Sequence, residues 1–283
     1  MLAPFENSDS SLALLDVIAE LLAHLADESD PDFRSCLAGI RRLWRHCALV
    51  DSEGAPLLQL APLSWELIAE TLLNWTPPAF DATMNEVAGL VNIIATSITP
   101  SAFTDRRSQL LLIAEGVRTT EREYAAAMYA AGIAPLGSTE GEWHPHNPLA
   151  EGLRRALRDA DLDGTADEML ARRILEVAAS TTGAIIDSNS EKNVEEVRRL
   201  CPTAIQFYRL VVRKIVLDGA NVSSGGRSNW VWDADLAFQV GTVLRSGRKP
   251  IKVITNDRDL LLASTLAGVP HFVQTLARFI ANA

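Results

Sequence analysis

Apolar residues recur at helical spacing through the first 180 residues of the chain. In the segment from Ser11 to Asp27 they fall on one side of a helix, with polar residues between them. Asp30 and Pro31 then provide a cap and a first-turn proline for a helix over Asp32 to Val50. The same pattern predicts helices over Ser64 to Trp75, Asp81 to Thr96, Thr104 to Glu115 and Thr119 to Ala131. No strand-like alternation of comparable length occurs here, so we expect an all-helical N-terminal region.

The pattern changes at Gly183, where short apolar runs begin to alternate with helical segments. Three of these runs reach an acid, and they are Gly183 to Asp187, Lys214 to Asp218 and Ile251 to Asp257. The helical segments between and after them are Val194 to Val212, Asp233 to Arg245 and Leu260 to Ala267. The first of these segments is expected to break near Cys201 and Pro202, and His271 to Val273 adds a short last strand. Strand–helix alternation is typical of a parallel sheet with right-handed crossovers. We therefore predict a small three-layer α/β domain with a parallel sheet.

A stretch rich in proline, glycine and polar residues, from Pro135 to Pro148, predicts a linker between these two parts. The predicted organisation is an acidic helical domain over residues 1–134, a linker over 135–148, connecting helices over 149–182 and an α/β domain over 183–283.

The charge of the chain is unevenly distributed. The net charge of −10 argues by itself against nucleic-acid binding. Residues 1–182 carry a net charge of −14, however, whereas residues 183–283 carry +4. Such asymmetry is a hint of a nucleic-acid-facing part joined to an acidic part. Two ordinary solvated surfaces are the alternative explanation.

Cysteine usage and hydropathy indicate the compartment. The three cysteines are an odd number at no metal-like spacing, which predicts free thiols in a reducing compartment. The N-terminus has no basic region before an apolar run, and no apolar stretch reaches the length of a membrane span. We therefore expect a soluble cytoplasmic protein that does not contact a membrane.

Aspartates end the three predicted strands of the C-terminal domain. Ligands of parallel α/β sheets bind at the carboxyl ends of the strands, so these side chains are expected to converge there. Several ionised carboxylates need a counter-charge, which Mg²⁺ or Mn²⁺ supplies through the oxygen ligands that it prefers. The predicted metal ligands are Asp187, Asp218, Asp233, Asp235, Asp257 and Asp259. The alternative is that each aspartate caps the helix that it begins.

Motifs in the same region resemble the closing half of PIN domains, which are small metal-dependent ribonucleases. They are Asp233-Ala-Asp-Leu-Ala237, then Val253-Ile-Thr-Asn-Asp-Arg-Asp-Leu260, and then Ala267-Gly-Val-Pro270. Two segments resemble the opening of the domain: Asp187-Ser-Asn189, and Ile215-Val-Leu-Asp218-Gly-Ala-Asn221-Val, which is similar to the related NYN nucleases. The resemblance implies a PIN-like fold and catalysis by Asp218, Asp257, Asp233 and Asp235. An inactive, degenerate member of the family is an alternative.

Basic and polar residues lie close to these acids in the sequence, as phosphate binding requires. The predicted substrate-binding residues are Asn221, Arg227, Arg245, Arg248, Lys249 and Arg258. We therefore expect RNA or another single-stranded nucleic acid to bind the C-terminal domain. The N-terminal helices are expected to regulate the domain or to bind a protein partner.

The leading hypothesis is a metal-dependent nuclease, acting on RNA, that hydrolyses phosphodiester bonds. The bound ion lowers the pKa of a water molecule that attacks phosphorus. A first alternative is a non-catalytic interaction or scaffold protein whose aspartates are helix caps. A second is a nucleotide hydrolase or phosphotransferase that uses the same carboxylates. Stabilisation by Mn²⁺ discriminates the first alternative from the nuclease, and stabilisation by a nucleotide favours the second.

Overall fold

A computed structural model shows a mostly helical chain. It describes residues 11–50, 56–61, 63–76, 82–97, 100–132, 152, 155, 159, 164–186, 190–218, 220, 230–240, 251–275 and 277–278. The chain divides into two compact units. The first unit comprises residues 1–63 and 78–120, and the second comprises residues 64–77 and 121–283.

The secondary structure of the described residues consists of helices with four short strands. The helices are α1 (Leu15–Ala23), α2 (Phe33–Cys47), α3 (Ser64–Leu72), α4 (Ala82–Thr96), α5 (Arg107–Gly132), α6 (Thr165–Thr182), α7 (Ser190–Leu200), α8 (Pro202–Asp218), α9 (Trp230–Gln239) and α10 (Arg258–Leu266). The strands are β1 (Ala48–Val50), β2 (Pro56–Leu58), β3 (Val253–Ile254) and β4 (Val273–Gln274). Short 3₁₀ helices span Pro100–Arg106 and Pro270–Phe272. In the described part of the chain, no helix is both long enough and apolar enough to span a membrane.

The first unit packs α2 between α1 and α4. Its core contains fully buried side chains from each of these helices and from α5, namely Ile18, Leu22, Ile40, Val91, Ile94 and Leu110. The helix predicted over Asp32 to Val50 ends at Cys47, because residues 48–50 pair as β1 with β2 in an antiparallel register of Ala48 with Leu58. The expectation of an all-helical N-terminal region is therefore wrong at this hairpin.

The second unit is built on α8, which packs against α9 and α10, while α6 packs against α3 and α7. Large buried side chains of its core are Leu175, Phe207, Phe238 and Leu260. The predicted break near Cys201 and Pro202 is confirmed, because α7 ends at Leu200 and proline is tolerated in the first turn of α8.

The predicted three-layer α/β domain is not what the structure shows, and this prediction was wrong. The run Lys214 to Asp218, predicted as a strand, is the last turn of α8. Residues 184–186, in the first predicted strand, have no regular structure, and Ile185 is 81% exposed. The sheet of this unit that the structure describes is two-stranded and parallel, with Val253 opposite Val273.

The failed strand prediction has a simple physical cause. Phe207, Val211 and Ile215 are buried and follow one another at intervals of four residues, so they line one face of α8. An apolar run of four residues fits the end of such a helical face as well as it fits a buried strand. The run Ile251 to Asp257 contains the two-residue strand β3. Of the strand predicted over His271 to Val273 only Val273 lies in β4, because His271 and Phe272 belong to a 3₁₀ helix.

Candidate functional site

Asp257, a predicted metal ligand, caps helix α10. Its carboxylate Oδ1 accepts a hydrogen bond from the backbone N–H of Leu260 at 2.7 Å, and its own backbone N–H donates to Thr255 Oγ1 at 3.0 Å. The first of these bonds satisfies a backbone donor that the first turn of a helix leaves without an intrahelical partner. The capping interpretation therefore holds for Asp257, while its binding to a metal stays a prediction.

Asp259, two residues later, forms an ion pair with Lys214 of α8. The two side chains are half-buried, with 24% and 36% of their surfaces exposed. The ammonium group also lies 5.5 Å from the centroid of the Trp230 ring, a distance typical of a cation–π contact. A lysine thus supplies positive charge beside this predicted metal ligand.

Asp233 and Asp235 lie on α9, half-buried beside tyrosines of the second unit. Burial raises the pKa of Tyr124 well above its ordinary value, and the nearby Tyr208 and Asp233 add to this increase. Burial likewise raises the pKa of Tyr208, with a smaller contribution from Asp235. Both phenols therefore stay protonated at neutral pH. In that state neither phenol serves as a base or a nucleophile.

Buried polar groups hold α9 in place. Gln239 Nε2 donates to Ser64 Oγ at 3.1 Å, and Ser64 Oγ donates to the backbone oxygen of Asp235 at 3.3 Å. The indole N–H of Trp232 donates to Glu121 Oε1 at 3.2 Å. These bonds satisfy polar atoms whose burial costs free energy when they lack partners. Their role is structural, because they connect α9 to α3 and α5.

Four acids of the predicted site have described side chains, and they do not form a compact group of three metal ligands. Among the residues that the structure describes, no three of Asp233, Asp235, Asp257 and Asp259 bring ligand atoms within 4.8 Å of one another. Asp218 is the last residue of α8, and its side chain lies outside the described part. Arg258 is exposed at the start of α10. The remaining predicted site residues lie outside the described ranges, and they are Asp187, Asn221, Arg227, Arg245, Arg248 and Lys249.

A group of possible metal ligands does occur in the first unit, between α1 and α2. Ligand atoms of His24, Asp30 and Asp32 lie within 4.8 Å of one another, and His24 Nδ1 is 3.1 Å from Asp30 Oδ2. The backbone N–H of Asp32 donates to Asp30 Oδ1 at 2.8 Å and is the main cause of a lowered pKa of Asp30. One nitrogen and two carboxylates form an acceptable set for a divalent ion. Sequence analysis missed this group because its members are spread over a turn.

The first unit also carries a row of arginines that sequence analysis overlooked. We call Arg34, Arg41, Arg42 and Arg45 of α2 the arginine face. Their intervals of seven, one and three residues place them along one side of a helix, and this spacing was the signal available in the sequence. They line a surface cleft of about 410 Å³ together with Leu37 and Ala38.

Two of these arginines are held by neutral acceptors. Arg41 Nη2 donates to the backbone oxygen of Ser97 at 2.7 Å, and Arg45 Nε donates to the backbone oxygen of Arg41 at 3.1 Å. Within the described ranges, no carboxylate pairs with any member of the arginine face. The positive charge of this surface is therefore not neutralised by an ion pair there.

Comparisons with known proteins identify no relative. No protein-family model matches the chain, and neither a curated protein nor a solved structure is similar to it. Membership of the PIN family therefore stays an untested prediction, although the fold implied by the resemblance is contradicted by the structure.

Proposed function

We propose that this chain is a non-catalytic interaction protein, in which packed helices form a scaffold and the aspartates of the C-terminal region are structural. The observation that carries this proposal is the ion pair between Lys214 and Asp259. A second acid of the same motif, Asp257, is engaged as a helix cap.

The chemistry of metal sites explains why this observation matters. Carboxylates that hold Mg²⁺ or Mn²⁺ depend on the ion to offset their mutual repulsion. Beside Asp259 a lysine ammonium provides that positive charge, and a second cation bound there is repelled by it. The phenols of Tyr124 and Tyr208, which lie near Asp233 and Asp235, offer no base at neutral pH. These features support a packed helical scaffold more than a hydrolytic centre.

A reducing, cytoplasmic location is part of the proposal. Cys36, Cys47 and Cys201 are buried and form no disulfide. Free buried thiols are the usual state of cysteines in compartments that keep glutathione reduced. The finding supports this location without bearing on the partner.

A thermal melt with and without Mn²⁺ tests the proposal. The wild type is compared with Asp257→Asn/Asp259→Asn, and Asp105→Asn serves as a control at an exposed position. Because asparagine is as good a cap as aspartate, the double variant keeps the cap while it removes both charges. We expect any effect of Mn²⁺ on the melting temperature, including one from the group of His24, Asp30 and Asp32, to be equal in all three proteins, and labelled single-stranded RNA to stay intact.

The opposite result restores the nuclease hypothesis. In that result, Mn²⁺ raises the melting temperature of the wild type but not that of the double variant, and only the wild type cleaves RNA. A nucleotide that stabilises the wild type in the same melt, without RNA cleavage, favours the nucleotide hydrolase or phosphotransferase instead. The nuclease stays a prediction in the meantime.

A further inference from the structure

We infer that the arginine face of α2 binds a short acidic segment of a partner protein. This inference rests on the proposed function, because it names the surface through which an interaction protein acts. Three features of the first unit carry it: the segregation of its charge, the length of the basic surface and the chemistry of the side chains along it.

Charge in this part of the chain is strongly segregated. Between Met1 and Leu63 the sequence has ten acidic residues but only four basic ones, and all four are the arginines of this face. The basic residues of this segment thus share one side of one helix. The remainder of the first unit, residues 78–120, adds four acidic and three basic residues, so four of the seven basic residues of the unit lie on the arginine face. Exposed charges act over about 8–10 Å at physiological salt, so a ligand on this surface experiences mainly the charges close to it, which include the four arginines and Asp32 at the start of α2. The arginine face is therefore complementary to an anionic ligand of limited size.

The length of the surface suits a short peptide. With a rise of about 1.5 Å per residue, the helix separates Arg34 from Arg45 by about 16 Å. An extended peptide covers that distance with about five residues, and a helical one does so with about three turns. A longer polyanion, such as an RNA strand, extends beyond the basic surface, and at the N-terminal end of α2 it meets the acidic Asp32. Charge repulsion there favours the short ligand.

The side chains also suit carboxylates. Guanidinium groups bind carboxylates through two parallel hydrogen bonds, which gives directional recognition. The bonds from Arg41 to Ser97 and from Arg45 to Arg41 position part of this surface before a ligand arrives. Leu37 and Ala38 add apolar surface to the cleft, which suits a peptide that carries an apolar side chain among its acids.

Trp44, the aromatic residue of α2 beside the arginine face, does not offer an exposed ring on which RNA bases can stack. Its indole N–H donates to Asn92 Oδ1 at 3.1 Å, and the side chain is half-buried. Stacking on exposed aromatic rings is what proteins commonly use to hold single-stranded nucleic acid. The fixed position of Trp44 therefore favours a peptide over RNA.

The test measures binding of a fluorescein-labelled, glutamate-rich peptide with a leucine at every fourth position by fluorescence anisotropy. The full chain is compared with Arg34→Gln/Arg42→Gln/Arg45→Gln. The control, Arg106→Gln/Arg107→Gln/Arg118→Gln, removes the same charge from other exposed positions of the first unit. We expect the arginine-face variant to bind at least about tenfold more weakly, and the control to stay within about twofold of the wild type.

A charge exchange makes the test independent of folding defects. Arg34→Glu/Arg42→Glu/Arg45→Glu is expected to lose the acidic peptide and to gain binding to the same peptide with lysine in place of glutamate. Circular dichroism establishes that each variant keeps its helical content. Recovery of binding by the exchanged pair supports the arginine face as the contact surface.

Four results overturn the inference. One is the absence of measurable binding of the acidic peptide to the wild type, and another is equal loss of affinity in the arginine-face variant and its control. The third is tighter, arginine-dependent binding of oligouridine of the same length, which assigns the surface to RNA. The fourth is arginine-dependent self-association in analytical ultracentrifugation, which assigns it to a second copy of the chain.

Failure of the proposed function is recognised separately. RNA cleavage that needs Asp257 and Asp259 contradicts a non-catalytic protein whatever the peptide does. The two experiments change different residues, in different units of the chain, so each result can be assigned to its own hypothesis.

Discussion

Lys214 near the end of α8 forms an ion pair with Asp259 in the first turn of α10. The lysine belongs to a run predicted as a strand, and the aspartate belongs to a motif predicted to bind metal. In the structure the two residues connect the packed helices α8 and α10.

A double-mutant cycle measures this ion pair. Lys214→Met and Asp259→Asn, alone and together, are expected to show a coupling free energy of about 0.5–1 kcal/mol, because the pair is half-exposed and screened by solvent. Urea unfolding at low and high salt provides the measurement, and salt is expected to reduce the coupling. A coupling near zero contradicts the pair, and stabilisation of Lys214→Met by Mn²⁺ indicates that Asp259 is a metal ligand.

Substitution of Asp257 distinguishes a cap from a metal ligand. We expect Asp257→Ala to lower the free energy of unfolding by about 1 kcal/mol, because the N–H of Leu260 loses its acceptor. Asp257→Asn keeps an acceptor oxygen, so its free energy of unfolding is expected to fall by much less. Urea unfolding of both variants measures these changes in the free energy of unfolding. Equal losses from alanine and asparagine count against the cap and point to a role for the negative charge.

The buried thiols predict a loss of stability in alkali. Burial raises the pKa of Cys47 to about 11 and that of Cys201 to about 12, above the ordinary value of 9.0. A raised pKa means that the folded state holds the proton more tightly, so the free energy of unfolding falls as pH rises from about 9 to about 12. Below about pH 9 this contribution is fully present. Urea unfolding at pH 8 and pH 10 is expected to show the decrease.

Reactivity provides the control for this prediction. Thiolate is the reactive form of cysteine, so Ellman's reagent at pH 8 is expected to react slowly with the native chain and fast once urea unfolds it. A cysteine that reacts in the native state as fast as in the unfolded state contradicts its burial. The alkaline loss of stability should also diminish in Cys201→Ala.

Tyr124 carries a buried hydroxyl oxygen with no hydrogen-bond partner in the described part of the chain. Removal of such a group relieves an unfavourable burial, so Tyr124→Phe is expected to leave the free energy of unfolding unchanged or to raise it by up to about 1 kcal/mol. Ser64→Ala is the contrast, because the Ser64 hydroxyl bonds Gln239 and Asp235. We expect this variant to lose about 1–2 kcal/mol. A larger loss for Tyr124→Phe than for Ser64→Ala reveals a partner of the phenol.

Helical periodicity was a reliable guide where several turns repeat it. The segments around α1, α2, α3 and α4 were predicted as helices, and each is a helix in the structure, although α1, α2 and α3 end before their predicted last residues. Such patterns are informative because a stripe of apolar side chains on one face is buried by almost any neighbour. The break between α7 and α8 was predicted for a similarly local reason, since proline disfavours the helical conformation of the residue before it.

Local sequence patterns did not determine the role of the acids in the C-terminal region. Asp257 follows a short strand and opens a helix, and that local pattern is the same for a cap and for a metal ligand. Its use depends on which charged groups other elements bring close. The structure brings Lys214 to Asp259, and the sequence places these residues far apart.

The sequence by itself therefore determined the helices with long apolar stripes, the capping role available to Asp257 and the separation of charge that concentrates arginines on α2. Only the tertiary structure decided that Lys214 to Asp218 ends a helix, because burial of Ile215 against neighbouring helices outweighs the strand propensity of a four-residue run. The tertiary structure also decided that Asp259 forms an ion pair with Lys214. Local propensity acts over a few residues, whereas packing and charge pairing depend on segments that meet only in the folded chain.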